Sequence, residues 1–387
     1  MIVWQIINIA ILLAIGGIIL YVRRKAKGSL SLYKLTLLLA GFALYFISTQ
    51  THILNFDKEL LDNFAVFLLV TLTFELSIRI NPENIHMNSK TLGVFVWTLI
   101  INIVIMGLLA SYLINIPTMQ AIIFALILTT IEYFMVEELR KEGDFANPLI
   151  IIFALSIVYF MTLNNQLFYN IGDFLRYMLI GLATGVISGI IVFKLMNNAK
   201  ISWVHELALL CTAVVVYIFT ILLGGSGIFS IIILGVFFGN SYVRKKNDMK
   251  SFSPFIFKSL EILLFLIIGF MIPFNLKFFL WALLIFIIYC IIRYIIISIY
   301  HKTYSMQNKL LLTFAPKGMV YAALLLVFSI EFFSVSLSSM MAWILIISLL
   351  IASGIEFVEG KKIKRLEELY VVLKNIRYGR KRDLKHK

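Results

Sequence analysis

The chain has 387 residues, 61% of them hydrophobic and 14% charged, with a formal net charge of +14 and a mean hydropathy of +0.98. A soluble domain is about half apolar and a quarter charged, so this chain has too few polar groups to cover a water-facing surface. The surplus of basic residues could suit nucleic acid, but its distribution along the chain suits the inner surface of a membrane instead.

Only helices and closed barrels satisfy their backbone in lipid. Barrel strands alternate polar and apolar residues, whereas here the apolar runs are continuous, as in AVFLLVTLTF (65–74) and FLWALLIFIIYCIIRYIIISIY (279–300). The expectation is an all-α integral membrane protein. With windows of about twenty residues, the spans run approximately 2–22, 32–50, 58–79, 90–114, 118–139, 147–169, 173–196, 202–223, 227–240, 254–273, 276–300, 308–331 and 335–355, about thirteen helices in all. The shortest is 227–240, which opens at GGSG. Residues 1–355 form a transmembrane domain and 356–387 a basic cytoplasmic tail. The first apolar run precedes the basic cluster Arg23, Arg24, Lys25 and Lys27, the reverse of a signal peptide, so it is read as a retained span.

The loops orient the chain. With the N-terminus outside, the outer loops hold only Lys58, Arg176 and Lys277, while Arg293 and Lys317 fall inside spans and the remaining Lys and Arg residues lie on the inner side. That asymmetry is a strong positive-inside signal for a cell membrane protein with a cytoplasmic C-terminus. The odd span number leaves six spans on either side of a seventh, in opposite orientation, which is compatible with the inverted repeats of secondary transporters. In the tail, Leu366, Leu369, Tyr370 and Leu373 group on one helical face among many basic residues, so anionic lipid at the cytoplasmic face is an expected partner.

Ionisable residues within spans are costly, so each needs a reason. Glu132 lies in LTTIEYFM, and its short side chain has no easy route to the interface. Arg293 sits about two turns from the inner end of its span. Lys317 lies in TFAPKGMVYAA, where Pro316 removes a backbone donor and Gly318 loosens the helix, marking a break with a cation at it. Glu75 has Arg79 four residues on, the spacing of a helical ion pair. Glu261 is one turn from Lys258 and reads as a paired boundary charge. Cys211 and Cys290 read as packing residues. No His or Cys pair has metal-ligand spacing and no Gly-rich phosphate loop occurs. Neither a cofactor nor enzyme chemistry is therefore expected.

Four segments, in order, resemble the cation:proton antiporter superfamily, which includes the sodium/hydrogen exchangers. FELSIRI (74–80) resembles its third-helix GLE segment. GGSGIFSIIILGVFFGN (224–240) resembles its Gly-Ser-Gly segment ending in Gly-Asn. FLIIGFMIPF (265–274) resembles its FxxxGxxI helix, and FAPKGMVYAALLL (314–326) resembles its PRGVVxAALA segment. The resemblance implies a fold with a dimerisation domain, a mobile core and two crossing discontinuous helices, here spans five and twelve. It also implies exchange of Na⁺, K⁺ or Li⁺ for protons on an acidic residue, and a homodimer held by spans one to three and eight to ten. Nucleic acid is not among the expected partners.

One departure concerns the ion site. The family places Asn-Asp or Asp-Asp in its sixth helix. Aligned without gaps from Thr130, those positions are Tyr159 and Phe160 here, Ser156 matches the family's serine, and no Asp or Glu occurs in 147–169. A membrane-buried cation needs oxygen ligands, anionic or several. Glu132 could supply the charge from the neighbouring helix, with Thr129, Thr130 and Ser156 adding neutral oxygens and Lys317 pairing with Glu132. Two other readings remain: a repurposed antiporter scaffold acting as a sensor or partner subunit, and a transporter of an anionic solute, given Arg293 and Lys317.

The orientation yields a test. A cysteine placed at Asn55 reacts with a membrane-impermeant thiol reagent in intact cells and one placed at Lys246 does not; the reverse pattern inverts the topology.

Overall fold

The protein is described from a computed structural model over residues 11–21, 30–51, 58–79, 89–130, 150–151, 171–197, 202–241, 253–272, 274–300, 302 and 306–358. The regular structure of these residues is helical: α1 (Ile11–Tyr21), α2 (Leu30–Thr51), α3 (Lys58–Arg79), α4 (Ser89–Ile114), α5 (Thr118–Thr129), α6 (Ile171–Asn197), α7 (Ser202–Leu222), α8 (Gly227–Ser241), α9 (Ser253–Met271), α10 (Phe279–Tyr300), α11 (Met306–Thr313), α12 (Met319–Glu331) and α13 (Val335–Val358). Among the described residues six helices are long and apolar enough to cross a bilayer. Others, such as α5 and α12, are shorter apolar pieces. The span expected over 147–169 lies outside the described residues except for Ile150 and Ile151, which are helical and buried. The tail from residue 359 also lies outside them.

The segment 227–240, the shortest expected span, is the helix α8. The preceding GGSG turn is built by Gly224, whose φ of 74° suits glycine, with Gly225 N donating to Thr220 O at 2.9 Å. A tighter turn joins α4 to α5. Asn115 takes a φ of 56°, a conformation asparagine tolerates, and Pro117 precedes the first residue of α5. Only residues 115–117 separate the two helices, so α4 and α5 pack as an antiparallel hairpin.

Lipid gives helices no hydrophobic reason to associate, so they associate through small residues and shared polar groups. α9 packs along α2, and α8 lies between α3 and α6. Side chains at Gly41 and Gly269 would run into the carbonyls of Leu266 and Leu38, so the α2–α9 crossing exists only with glycine at both positions. α8 meets α6 and α7 through buried hydroxyls: Thr184 Oγ1 lies 2.9 Å from Thr220 Oγ1, which lies 3.0 Å from Ser230 Oγ.

The ends of the bundle carry its ionic ties. Glu261 on α9 is buried between Lys34 Nζ of α2 at 3.1 Å and Lys258 Nζ at 2.8 Å. The local partner Lys258 is the one its spacing indicates; Lys34 arrives only through the α2–α9 crossing. At the start of α2, Ser31 donates to Glu356 of α13 from its hydroxyl at 2.6 Å and its backbone N–H at 3.2 Å, placing a carboxylate at a helix N-terminus. α13 continues through Val358, past the boundary at 355 expected for the last span. Its other end is fixed by Asn275, whose N–H donates to Ser339 Oγ at 2.9 Å and whose carbonyl accepts from Trp343 Nε1 at 3.1 Å.

Glu261→Ala removes the carboxylate from between two ammonium groups, one of them fully buried, and is expected to cost about 3–5 kcal/mol, the range for breaking a buried pair. Denaturant unfolding in mild detergent measures it. The double variant Lys34→Met, Glu261→Leu regains most of that loss; an additive double variant removes the pair as a stabilising contact.

Candidate functional site

α5 ends in the middle of an apolar sequence, with neither proline nor glycine to stop it. Thr130 leaves the helix at φ −62° and ψ 142°, so the last-turn carbonyls lose their helical donors. The sequence supplies replacements. Thr129 Oγ1 donates to Leu126 O at 2.5 Å, and Thr130 gives Ile127 O both its hydroxyl at 2.7 Å and its N–H at 3.1 Å. Leu128 O and Thr130 O accept from the ammonium of Lys317, the latter at 3.1 Å. A helix C-terminus carries partial negative charge, and a cation placed there is stabilised.

Lys317 comes from the second break. α11 ends at Thr313, α12 begins at Met319, and Gly318 between them is extended at φ −103°, ψ −157°. Pro316 has no N–H to continue α11. The N–H of Lys317 donates to Ser348 Oγ on α13 at 3.2 Å, and the Ser348 hydroxyl donates to Leu345 O at 2.8 Å. The break is thus held from one side by α13 while its side chain reaches the other broken helix.

α10 closes the site. Its buried residues Ala282, Ile285, Phe286, Tyr289, Cys290, Arg293, Ile296 and Ile297 recur at helical spacing. The ammonium of Lys317 stands over the Tyr289 ring, 3.9 Å from its centroid. Arg293 Nη1 donates to the Tyr289 hydroxyl at 3.4 Å. Lys317 and Arg293 are 0% and 2% exposed, so two cations flank one phenol inside the bundle. Among the described residues no carboxylate pairs with Lys317.

The structure therefore brings together Thr129, Thr130, Lys317 and Arg293. Glu132 and Ser156 lie outside the described residues, so their geometry, and the expected pairing of Glu132 with Lys317, do not enter the site as drawn. Glu75 is half-buried on α3 and engaged in contacts there. Tyr289 and Ser348 join the site only through the structure. Tyr289 precedes Arg293 by four residues, a spacing that puts both on one helical face; nothing in the sequence around Ser348 separates it from other serines in apolar spans.

Two facing helix breaks joined by a cation are a specific arrangement. The family model for the transmembrane region of sodium/hydrogen exchangers matches residues 145–357, more than half of the chain. The chain belongs to the sodium/hydrogen exchanger family. Its fold is that of the sodium proton antiporter MjNhaP1 from Methanocaldococcus jannaschii. A structure of that protein at pH 8 superposes with a TM-score of 0.73 at 16% identity, covering 90% of this chain and 98% of the other. An electron-microscopy structure of the same antiporter gives a TM-score of 0.69 at 17% identity, covering 92% and 96%. No curated protein sequence matches the chain significantly. The family match reaches α6 to α13, including Arg293 and Lys317, and the structural likeness extends the same fold to most of the N-terminal helices.

The geometry ranks two substitutions in this exchanger-family chain. Lys317→Met strips the cation from two buried carbonyls and is expected to cost about 1–3 kcal/mol for each group left unpaired. Tyr289→Leu removes the ring face, about 0.5–2 kcal/mol, together with the long hydrogen bond that its hydroxyl accepts from Arg293. Unfolding midpoints in detergent measure both, and a larger loss for Tyr289→Leu overturns this assignment of the stabilising contact.

Proposed function

We propose that the chain is a monovalent cation:proton antiporter of the cell membrane whose exchange centre is the crossing of α5 with the α11–α12 break. The observation that carries the proposal is the ammonium of Lys317 on the carbonyls of Leu128 and Thr130. Neutral oxygens converging on a buried positive charge are a ligand set for Na⁺ or K⁺ as well as for an ammonium. An entering cation displaces Lys317 from these oxygens, and the hydroxyls of Thr129 and Thr130 complete its shell. Glu132, two residues beyond Thr130 in sequence, supplies the negative charge, with Ser156 as a further oxygen ligand.

Charge conservation couples the two movements. A protonated lysine and a neutral lysine beside a bound monovalent cation carry the same charge. The exchange of one for the other leaves the buried site electrically unchanged and avoids the cost of adding a net charge inside the bundle. Arg293 keeps its charge throughout and orients Tyr289, against which the ammonium rests. The N-terminus faces out and the basic tail lies on anionic lipid at the cytoplasmic face. The protein works as a homodimer held by helices outside the core, with α1, α2, α3, α7, α8 and α9 as the candidates.

The loss of an acidic residue from 147–169 favours a second reading, a repurposed scaffold that exchanges no ion. Proton flux in proteoliposomes pulsed with Na⁺, K⁺ or Li⁺ separates the two. Wild type moves protons in response to at least one of these cations, Glu132→Gln abolishes the response while remaining folded, and Lys317→Met uncouples or abolishes it. Unchanged exchange in Glu132→Gln removes that carboxylate from the mechanism, and a silent wild type overturns the antiport reading in favour of the repurposed scaffold.

A further inference from the structure

α4 buries one stripe of side chains: Thr98, Asn102, Met106 and Ala110, each one turn from the next and at most 3% exposed. The opposite face carries Trp97, Val104, Leu108 and Tyr112, all exposed as lipid-facing residues are. The buried stripe faces the helices that α4 packs along, α5 and α10. These are the helices that hold the carbonyls of Leu128 and Thr130 and the side chains of Tyr289 and Arg293.

The stripe changes character along its length. Its C-terminal half, Met106 and Ala110, is apolar; its N-terminal half, Asn102 and Thr98, is polar. Asn102 is fully buried, yet its amide nitrogen and amide oxygen both lack a hydrogen-bond partner among the described residues. It is the one side chain among the described residues with two buried polar atoms unpartnered. The hydroxyl of Thr98 is also unpartnered. Thr71, Thr184, Thr220 and Thr313 each return their hydroxyl to a carbonyl of their own helix; Thr98 does not, and shares that exception with Thr73 on α3. A buried polar group with no partner is retained where some other state supplies one.

The hairpin fixes the depth of these groups. Gly107 lies against the Ala121 carbonyl, and the two helices run antiparallel at the same rise per residue. Asn102 is therefore level with the last turn of α5 around Leu126, and Thr98 with Thr130, where the helix breaks.

We infer that Asn102 and Thr98 are cation-positioning residues: neutral oxygen ligands on α4 that receive the monovalent ion at the α5 break when Lys317 gives up its place. The inference rests on the antiport reading above and names two ligands outside the broken helices. An amide and a hydroxyl exchange hydration oxygens for protein oxygens without adding charge, so they set how tightly the ion is held and leave the proton count alone.

The test uses the full chain in mild detergent. Its unfolding midpoint is titrated with NaCl, KCl or LiCl against choline chloride at constant ionic strength, beside proton flux in proteoliposomes. A bound ion raises the midpoint by mass action. Asn102→Leu and Thr98→Val keep the size of each side chain and remove its oxygen. Each is expected to unfold in choline at or above the wild-type temperature, because no bond is lost. Each needs about tenfold more cation for half of the shift, as loss of one charge-assisted contact predicts. Wild-type ion dependence in both variants overturns the inference while leaving antiport intact. A lowered midpoint in choline with the ion shift preserved also overturns it, since that marks a structural partner. If wild type shows neither ion shift nor flux, the antiport reading fails and this inference falls with it.

Discussion

The structure turns on one constraint: a backbone interrupted inside a membrane must find other partners for its freed groups. α5 stops at Thr129 and leaves four carbonyls at its end. Two threonine hydroxyls and the ammonium of Lys317 take Leu126, Ile127 and Leu128 between them, and Lys317 also takes Thr130. The break in the other helix puts Lys317 there, and Ser348 of α13 holds the backbone of that break. Each interruption is thus stabilised by the other, and neither could be removed alone without stranding polar groups in an apolar interior. The rest of the bundle presents these two breaks to each other.

The remainder of the fold is built on a different economy. Around α2, α3, α6, α8 and α9, contact is by close backbone approach at glycines and by shared hydroxyls, with ionic groups confined to the ends. Glu261 is held by lysines from two helices and Glu356 by the start of α2, so their charges are compensated locally. The proposed exchange centre differs. Lys317 is compensated by carbonyl dipoles and a ring face, which stabilise a cation without binding one particular chemical species. A site of that type accepts an ammonium or a metal ion, whereas a site built on a close carboxylate pair is specific to its partner.

Much of this was legible in the sequence, for reasons that differ by element. Hydropathy marks the spans because lipid imposes a length and a composition. The Pro316-Lys317-Gly318 break could be read because proline and glycine have backbone consequences visible in one residue. The end of α5 could not be read that way: Ile127, Leu128 and Thr129 are compatible with continued helix, and the break at Thr130 exists because side chains elsewhere satisfy it. Only the resemblance to a known family pointed to Thr130. Lys258 follows from spacing as a partner of Glu261, but Lys34 is brought by the α2–α9 crossing, whose glycines are unremarkable in isolation. Tyr289, Ser348 and Asn102 belong to the same class, since their meaning lies in what another helix places beside them.

The two departures of this chain from its family bear on the same point. The family segment reads Pro-Arg-Gly where this chain has Pro316-Lys317-Gly318, and its sixth-helix acids align with Tyr159 and Phe160. Arginine stays charged under all physiological conditions, while a buried lysine changes its protonation with its surroundings. An exchanger needs one group whose proton leaves when the ion arrives. With a carboxylate in the sixth helix, that group is the acid, and the cation at the helix break can be a permanent arginine. With the acid moved to Glu132 as proposed, a permanent cation at the break would add to Arg293 in opposing an approaching ion. A lysine at the same place relieves that conflict, because the proton it loses is the charge the ion replaces. On the antiport reading, the missing acid and the lysine are one change, made at the two ends of one electrostatic balance.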